Sequence, residues 1–221
     1  KIAKKIFIYE KSKLNIAKIK KLKLPGIIVK SLKDGVVNSD LIIFCTPMSE
    51  YKKIILKINN FLLPRMLITD IGSSKIESSK IIKKFLKRGI HWTRSHPITG
   101  SEVSGPEHGK DDMFKDKWCV LIKDKKTNLR HLKFLKSFWK KVGSKTVLMN
   151  SEKHDKIFSI TSHLPHLIAY NPTLSKANTR LNLLNVQTYS LFLRGRQVKN
   201  IFSLSYFALK ELKRPFSCPK K

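Results

Sequence analysis

The stretch Ser95 to Trp118, SHPITGSEVSGPEHGKDDMFKDKW, holds the densest set of residues able to do chemistry. His96, Thr99, Ser101, Glu102, Ser104 and His108 stand around Gly100, Gly105 and Gly109, with two prolines between them. An imidazole takes up a proton near neutral pH, and hydroxyls and a carboxylate beside it orient or accept protons. Glycine frees the backbone and proline fixes φ, so the stretch reads as a loop of defined shape. It follows an extended run, His91 to Arg94, as a catalytic loop at a strand end would. An ordinary polar surface loop has the same composition, and residue chemistry alone leaves both readings open.

Three further groups are candidates. Asp70-Ile-Gly-Ser-Ser-Lys75 ends an apolar run, and its Gly72-Ser73 turn offers N–H groups and a hydroxyl to an anion or a ribose. Ser73 as a simple N-cap is compatible with that role. Glu10 closes the apolar run KIFIYE, where either a ribose-binding carboxylate or a solvated strand-end charge fits the spacing. His163, His166 and Tyr170 share one helix face, and Pro165 should kink that helix. Zinc ligation by His154, His163 and His166 lacks a completing ligand, so no metal is expected.

The elements that must position these groups alternate. Lys5 to Glu10 reads as a strand, and Lys11 to Lys23 as a helix with Leu14, Ala17 and Leu22 inward. Ile27 to Val29 is a short strand, and a polar segment follows it. Asp40 to Thr46 is an apolar strand stopped by Pro47, and its continuous rather than alternating character marks burial on both faces. Ser49 is expected to cap a helix burying Tyr51, Ile54, Ile55, Ile58 and Leu62. Met66 to Asp70 is a strand, and Lys75 to Arg88 a helix closed by Gly89. Trp118 to Lys123 is a strand. Thr127 then caps a helix bearing Leu129, Leu132, Leu135, Phe138, Trp139 and Val142, ended by Gly143. Lys145 to Met149 is the last strand, and Asn150 opens a new helix. Strands alternating with helices predict an α/β, Rossmann-like, doubly wound and mostly parallel sheet over residues 1–149. A partial helical domain over residues 150–221 is expected after it.

Composition sets bounds. With 221 residues the chain is long enough for one sizeable core, or for one domain plus part of another. No apolar run approaches the ~18 residues that span a bilayer. Cys45, Cys119 and Cys218 form no Cys-x-x-Cys, which fits a reduced, soluble cytoplasmic protein without a membrane partner. The formal net charge of +31 raises the alternative of a basic nucleic-acid-binding protein. The lysines are spread along the whole chain without an aromatic platform, which disfavours it. Lysine rises together with isoleucine, asparagine, serine and phenylalanine, as in the products of an A/T-rich genome.

The run His-Pro-Ile-Thr-Gly-Ser-Glu, followed by Ser-Gly-Pro-Glu, resembles the signature of the prephenate and arogenate (cyclohexadienyl) dehydrogenases. The similarity continues at Asp70 to Lys75, at Trp118 to Leu121 and at Ser-His-Leu-Pro-His-Leu-Ile-Ala-Tyr-Asn, 162–171. It covers roughly residues 5–171. The resemblance implies an oxidoreductase of tyrosine biosynthesis that carries out NAD(P)-dependent oxidative decarboxylation of prephenate, arogenate or both. It implies His96 as the catalytic base and Ser73 as its neighbour near the substrate hydroxyl. Thr46, Pro47, Asp70, Gly72 and Thr99 would lie along the cofactor, and Ser101, Glu102 and His166 against the substrate. Glu10 would bind the adenosine ribose and favour NAD over NADP, a preference weakened by Lys11. A homodimer is expected of the full-length protein.

Two departures from the family pattern carry expectations of their own. The glycine-rich turn and the first strand are expected upstream of Lys1. Residues 172–221 lack the family's arginine-bearing Phe-x-Asp-Phe-Thr-Arg stretch, which suggests a reading-frame slip near codon 171 or else a divergent C-terminus. Arg194 and Arg196 are accordingly not nominated as its carboxylate clamp. A catalytically inactive fragment of the family is the remaining alternative.

Overall fold

The structure, a computed structural model, describes residues 3–99 and 105–163. Ser101, Glu102, His166 and the segment 172–221 lie outside the described residues. The strands form three ladders. β1 (Phe7–Ile8) pairs in parallel with β2 (Ile27–Ile28). β3 (Leu41–Phe44), β4 (Leu67–Asp70) and β5 (His91–Trp92) form a parallel set. β6 (Ser95–Pro97) runs antiparallel to β7 (Trp118–Ile122), which pairs in parallel with β8 (Lys145–Met149). The extended run expected before the loop therefore continues through His96. The histidine sits on a strand, held by the β7 ladder, rather than in the loop.

Helices cover the strands on both sides, as continuous apolar runs require. Along β4 and its flanks the alternation is direct. Leu67 and Ile71 join one core with Cys119, Leu121, Leu135 and Trp139, while Met66 and Ile68 join the other with Tyr51, Ile55 and Ile58. The first core is closed by α5 (Leu129–Lys141), the second by α3 (Tyr51–Ile58). Each fully buried Leu or Ile contributes about 1.5–3 kcal/mol relative to exposure. The predicted stripes of these two helices are buried except for Leu129, which is 63% exposed at the start of α5.

Several local expectations are corrected. In α1 (Lys13–Lys21) Ile19 is the buried residue, while Leu14, Ala17 and Leu22 face outward. Lysines surround both faces of this helix, so its apolar pattern did not mark the inward side. The polar segment contains α2 (Leu32–Val37), whose N-cap Ser31 accepts from the Asp34 N–H. Ser49 lies inside a 3-10 turn, Met48–Glu50, that leads from Pro47 into α3, and no side chain caps it. Asn128, not Thr127, caps α5 by accepting from the His131 N–H, while the Thr127 hydroxyl accepts from the Asp124 N–H.

α4 (Ile76–Phe85) ends at Leu86, and Gly89, at φ +82°, belongs instead to the turn that leads into β5. β3 is only half-buried at Leu41, Ile42 and Ile43, because it lines a cleft.

Candidate active site

Two regions frame the candidate site. The first is a cleft of about 660 Å³ between β1 and β3, lined by Phe7, Ile43, Phe44 and Cys45 below and by Glu10, Thr46 and Pro47 at its rim. Three of the predicted cofactor residues therefore line one cavity. The Glu10 carboxylate accepts from the Ser12 N–H at 2.8 Å and from the Asn15 amide at 3.4 Å, which fixes it at the entry to α1. The Thr46 hydroxyl is shielded from solvent and finds no hydrogen-bond partner among the described residues. A buried hydroxyl left unpaired costs about 1–3 kcal/mol, so a ligand atom satisfying it gains that much. Across the rim Lys11 forms an ion pair with Glu50 at 2.7 Å. Burial pushes the Cys45 thiol far above its ordinary pKa, so it lines the cleft as a neutral apolar group.

The second region is a buried polar array where β4, β6, α4 and α6 (Ser151–Phe158) meet. Asp70 and Lys75 are both fully buried and pair at 2.7 Å. Lys75 Nζ also donates to the Ser95 carbonyl at 2.7 Å, and the Trp92 indole donates to the second Asp70 oxygen at 3.1 Å. Burial lowers the Lys75 pKa, and Asp70 opposes that shift. The Asp70 carboxylate is thus an internal strut between Lys75 and Trp92. Gly72 has little room for a side chain, since a Cβ there would lie 3.0 Å from the Tyr51 hydroxyl. Ser73 is half-buried in the same turn, one residue beyond it. The Thr99 hydroxyl donates to the Met113 carbonyl at 2.8 Å, so its side chain pins the end of β6 to the segment before β7.

His96 is 2% exposed. Its strand is anchored by Ser95, whose hydroxyl donates to the Asp70 carbonyl at 2.8 Å. His96 Nδ1 lies 2.8 Å from Nε2 of His154, and His154 Nδ1 lies 2.7 Å from Oδ1 of Asp155. Phe158, one turn further along α6, packs on both imidazoles at 4.8 and 4.5 Å between ring centroids. The Asp155 carboxylate accepts the backbone N–H groups of Lys75 and Ile76 at 2.8 Å each, so α6 supplies the cap that α4 lacks in its own sequence. Burial works to raise the Asp155 pKa, but these N–H groups and His154 hold it below its ordinary value. His154 goes the other way: burial pushes it down to about 4 against the pull of Asp155.

The start of α6 is held as firmly. Asp124 accepts from the Ser151 N–H at 2.9 Å and from the Ser151 hydroxyl at 2.7 Å, and it pairs with buried Arg94. Arg94 also donates to the Lys75 carbonyl at 2.8 Å. Sequence reading did not single out Arg94, Asp124, Ser151 or Asp155, and it considered His154 only as a zinc ligand. The adjacent His-Asp pair in the first turn of a capped helix was the available signal.

This α/β architecture, with parallel ladders covered on both faces and a cleft at their carboxyl ends, defines a Rossmann-like nucleotide-binding fold. The chain belongs to the prephenate dehydrogenase family: residues 1–148 match that family's nucleotide-binding domain. It is 30% identical over 165 residues to a cyclohexadienyl dehydrogenase of Zymomonas mobilis, covering 75% of this chain and 56% of that relative. To a prephenate dehydrogenase of Bacillus subtilis it is 28% identical over 136 residues, covering 61% of this chain and 37% of the relative. The chain thus spans about half the length, or less, of these curated relatives. Among solved structures, prephenate dehydrogenase from Aquifex aeolicus in complex with hydroxyphenyl propionate and NAD+ aligns with a TM-score of 0.71 at 25% identity. That alignment covers 91% of this chain and 73% of the other. Synechocystis arogenate dehydrogenase shares the fold with a TM-score of 0.67 at 18% identity, covering 94% of this chain and 77% of the other.

Proposed function

We propose that this protein carries out the NAD(P)-dependent oxidative decarboxylation of prephenate, arogenate or both, as an enzyme of tyrosine biosynthesis. The observation that carries the reading is His96: a buried imidazole on β6 whose Nδ1 is engaged by a second histidine. The role of base then falls to Nε2. A bound nicotinamide cofactor would supply the hydride acceptor for the ring carbon that bears the hydroxyl. His96 takes the hydroxyl proton as the carbonyl develops, and returns it to the phenolic oxygen once the ring carboxylate has left as carbon dioxide. Ser73, in the turn after β4, orients the hydroxyl. Ser101, Glu102 and His166 are assigned to substrate binding by the family resemblance.

The cleft between β1 and β3 suits the cofactor. The Thr46 hydroxyl, without a partner among the described residues, would bind and orient it together with Pro47 and the backbone at Asp70, Gly72 and Thr99, with Glu10 on the adenosine ribose. Lys11 is engaged by Glu50 at the rim, and Glu10 on the adenosine ribose favours NAD over NADP. Residues 1–149 form the cofactor domain, and residues from 150 begin a helical domain that dimerises in the full-length protein. The cytoplasm is its compartment.

His96→Asn is expected to abolish turnover of prephenate and arogenate while NAD affinity stays within a few-fold. Loss of NAD binding with turnover intact at saturating cofactor would overturn the assignment.

A further inference from the structure

We propose that His154 is a positioning residue for His96, and that Asp155, His154 and His96 form a hydrogen-bonded chain that holds His96 with its proton on Nδ1. The proposal rests on the reading of His96 as the base and goes beyond it by assigning what prepares that base.

The direction of the chain follows from its fixed end. Asp155 accepts two backbone N–H groups, from Lys75 and Ile76, which can act only as donors. A carboxylate so engaged presents only acceptor oxygens, and its pKa is held below the ordinary value, although burial works against this. The nitrogen facing it at 2.7 Å, Nδ1 of His154, must therefore carry the proton of a neutral ring. Neutral is the form burial selects for His154, whose pKa is pushed down to about 4. Its Nε2 is then an acceptor, and the group 2.8 Å away, Nδ1 of His96, must donate to it. With its proton on Nδ1, His96 carries its lone pair on Nε2, the tautomer the proposed base requires.

An unconstrained imidazole divides its time between two tautomers and several ring orientations. Here both are set by a partner on a buried, anchored helix. His154 is fully buried on α6, which Asn150 caps, Asp124 and Arg94 grip at Ser151, and α4 binds through Asp155. Phe158 closes over both rings. When His96 gains a proton, its Nδ1–H bond to His154 becomes charge-assisted and stronger. The titratable groups around His154 are Asp155 on its own helix, His96 on β6, Lys75 at the start of α4 and Asp70 at the end of β4.

The test compares His154→Leu with His154→Gln in the full chain, assayed with prephenate and NAD across pH. In His154→Leu we expect kcat to fall at least about tenfold with both KM values within about threefold. The acidic limb of kcat/KM should move to lower pH, because the His96 imidazolium loses its acceptor. His154→Gln keeps an acceptor facing Nδ1 and is expected to restore most of kcat. If kcat of His154→Leu stays within twofold while His96→Asn is inactive, the positioning role fails and His96 stands as the base. If His96→Asn is itself active, the functional reading fails first. Imidazole nitrogen shifts of the wild-type protein, read by NMR at neutral pH, decide the matter even if His154→Leu does not fold. Finding His96 as the Nδ1–H tautomer supports the chain, and finding it as the Nε2–H tautomer overturns it.

Discussion

The cleft beside β3 and the array beneath His96 are built on opposite terms. In the cleft, apolar walls carry one polar group, the Thr46 hydroxyl, that has no partner among the described residues, while Glu10 and Lys11 are engaged at the rim and β3 is half-buried along its edge. Under His96, Asp70, Lys75, Arg94, Asp124, His154 and Asp155 are each bonded to groups on other elements. The contrast separates two tasks. A surface that must take up a mobile ligand leaves hydrogen-bonding capacity unspent, whereas a base that must point one way is surrounded by groups whose capacity is already used.

The largest way to break this contrast is to spoil the array. Lys75→Met leaves Asp70 as a buried carboxylate without its cation, and is expected to cost about 3–5 kcal/mol of stability, read as a lower urea midpoint. A change under 1 kcal/mol, on the order of a surface pair, would mean that water reaches Asp70 and that the array is less closed than its burial implies.

Acid should act on the same array. An unfolded histidine binds a proton near pH 6.5, whereas folded His154 resists one until about pH 4. Between those values the unfolded chain holds more protons, so stability falls as pH drops. That contribution is at most about 3 kcal/mol. The lowered pKa values of Asp124 and Asp155 extend the loss to lower pH still. Urea midpoints at pH 7.5 and 4.5 would measure it, and a flat response would show that His154 titrates as in water.

The smallest effect should come from the cleft. Thr46→Val replaces a hydroxyl that has no partner among the described residues by a methyl group, so the ligand-free protein should gain about 1 kcal/mol, the low end of the cost of an unpaired buried hydroxyl, while NAD affinity falls several-fold. Unchanged affinity, measured by calorimetry, would remove Thr46 from the cofactor site and leave Glu10 and Pro47 to define it.

The parts of the fold legible beforehand were those in which one chemical pattern repeats. The stripe Tyr51, Ile54, Ile55, Ile58 and the stripe Leu132, Leu135, Phe138, Trp139 each mark a helix face that has one way to be buried. α1 was misread because its apolar residues recur on more than one side, and only packing against β1 and its neighbours selects Ile19. The partner of the Asp70 carboxylate was illegible for a different reason. A carboxylate at a strand end serves a ribose or an internal cation equally well, and Lys75 lies close to it only after the turn folds back.

Most of the alternation of strands and helices and the two apolar faces of the sheet were determined locally, by runs a few residues long, and short motifs put His96, Glu10 and Thr46 forward as candidates. The partner of His96 was decided only by the tertiary structure. His154 lies 58 residues further along, on a different element, and no local spacing links the two. What joins them is the docking of α6, whose Asp155 satisfies the open end of α4 and in doing so lays His154 against the strand that carries His96.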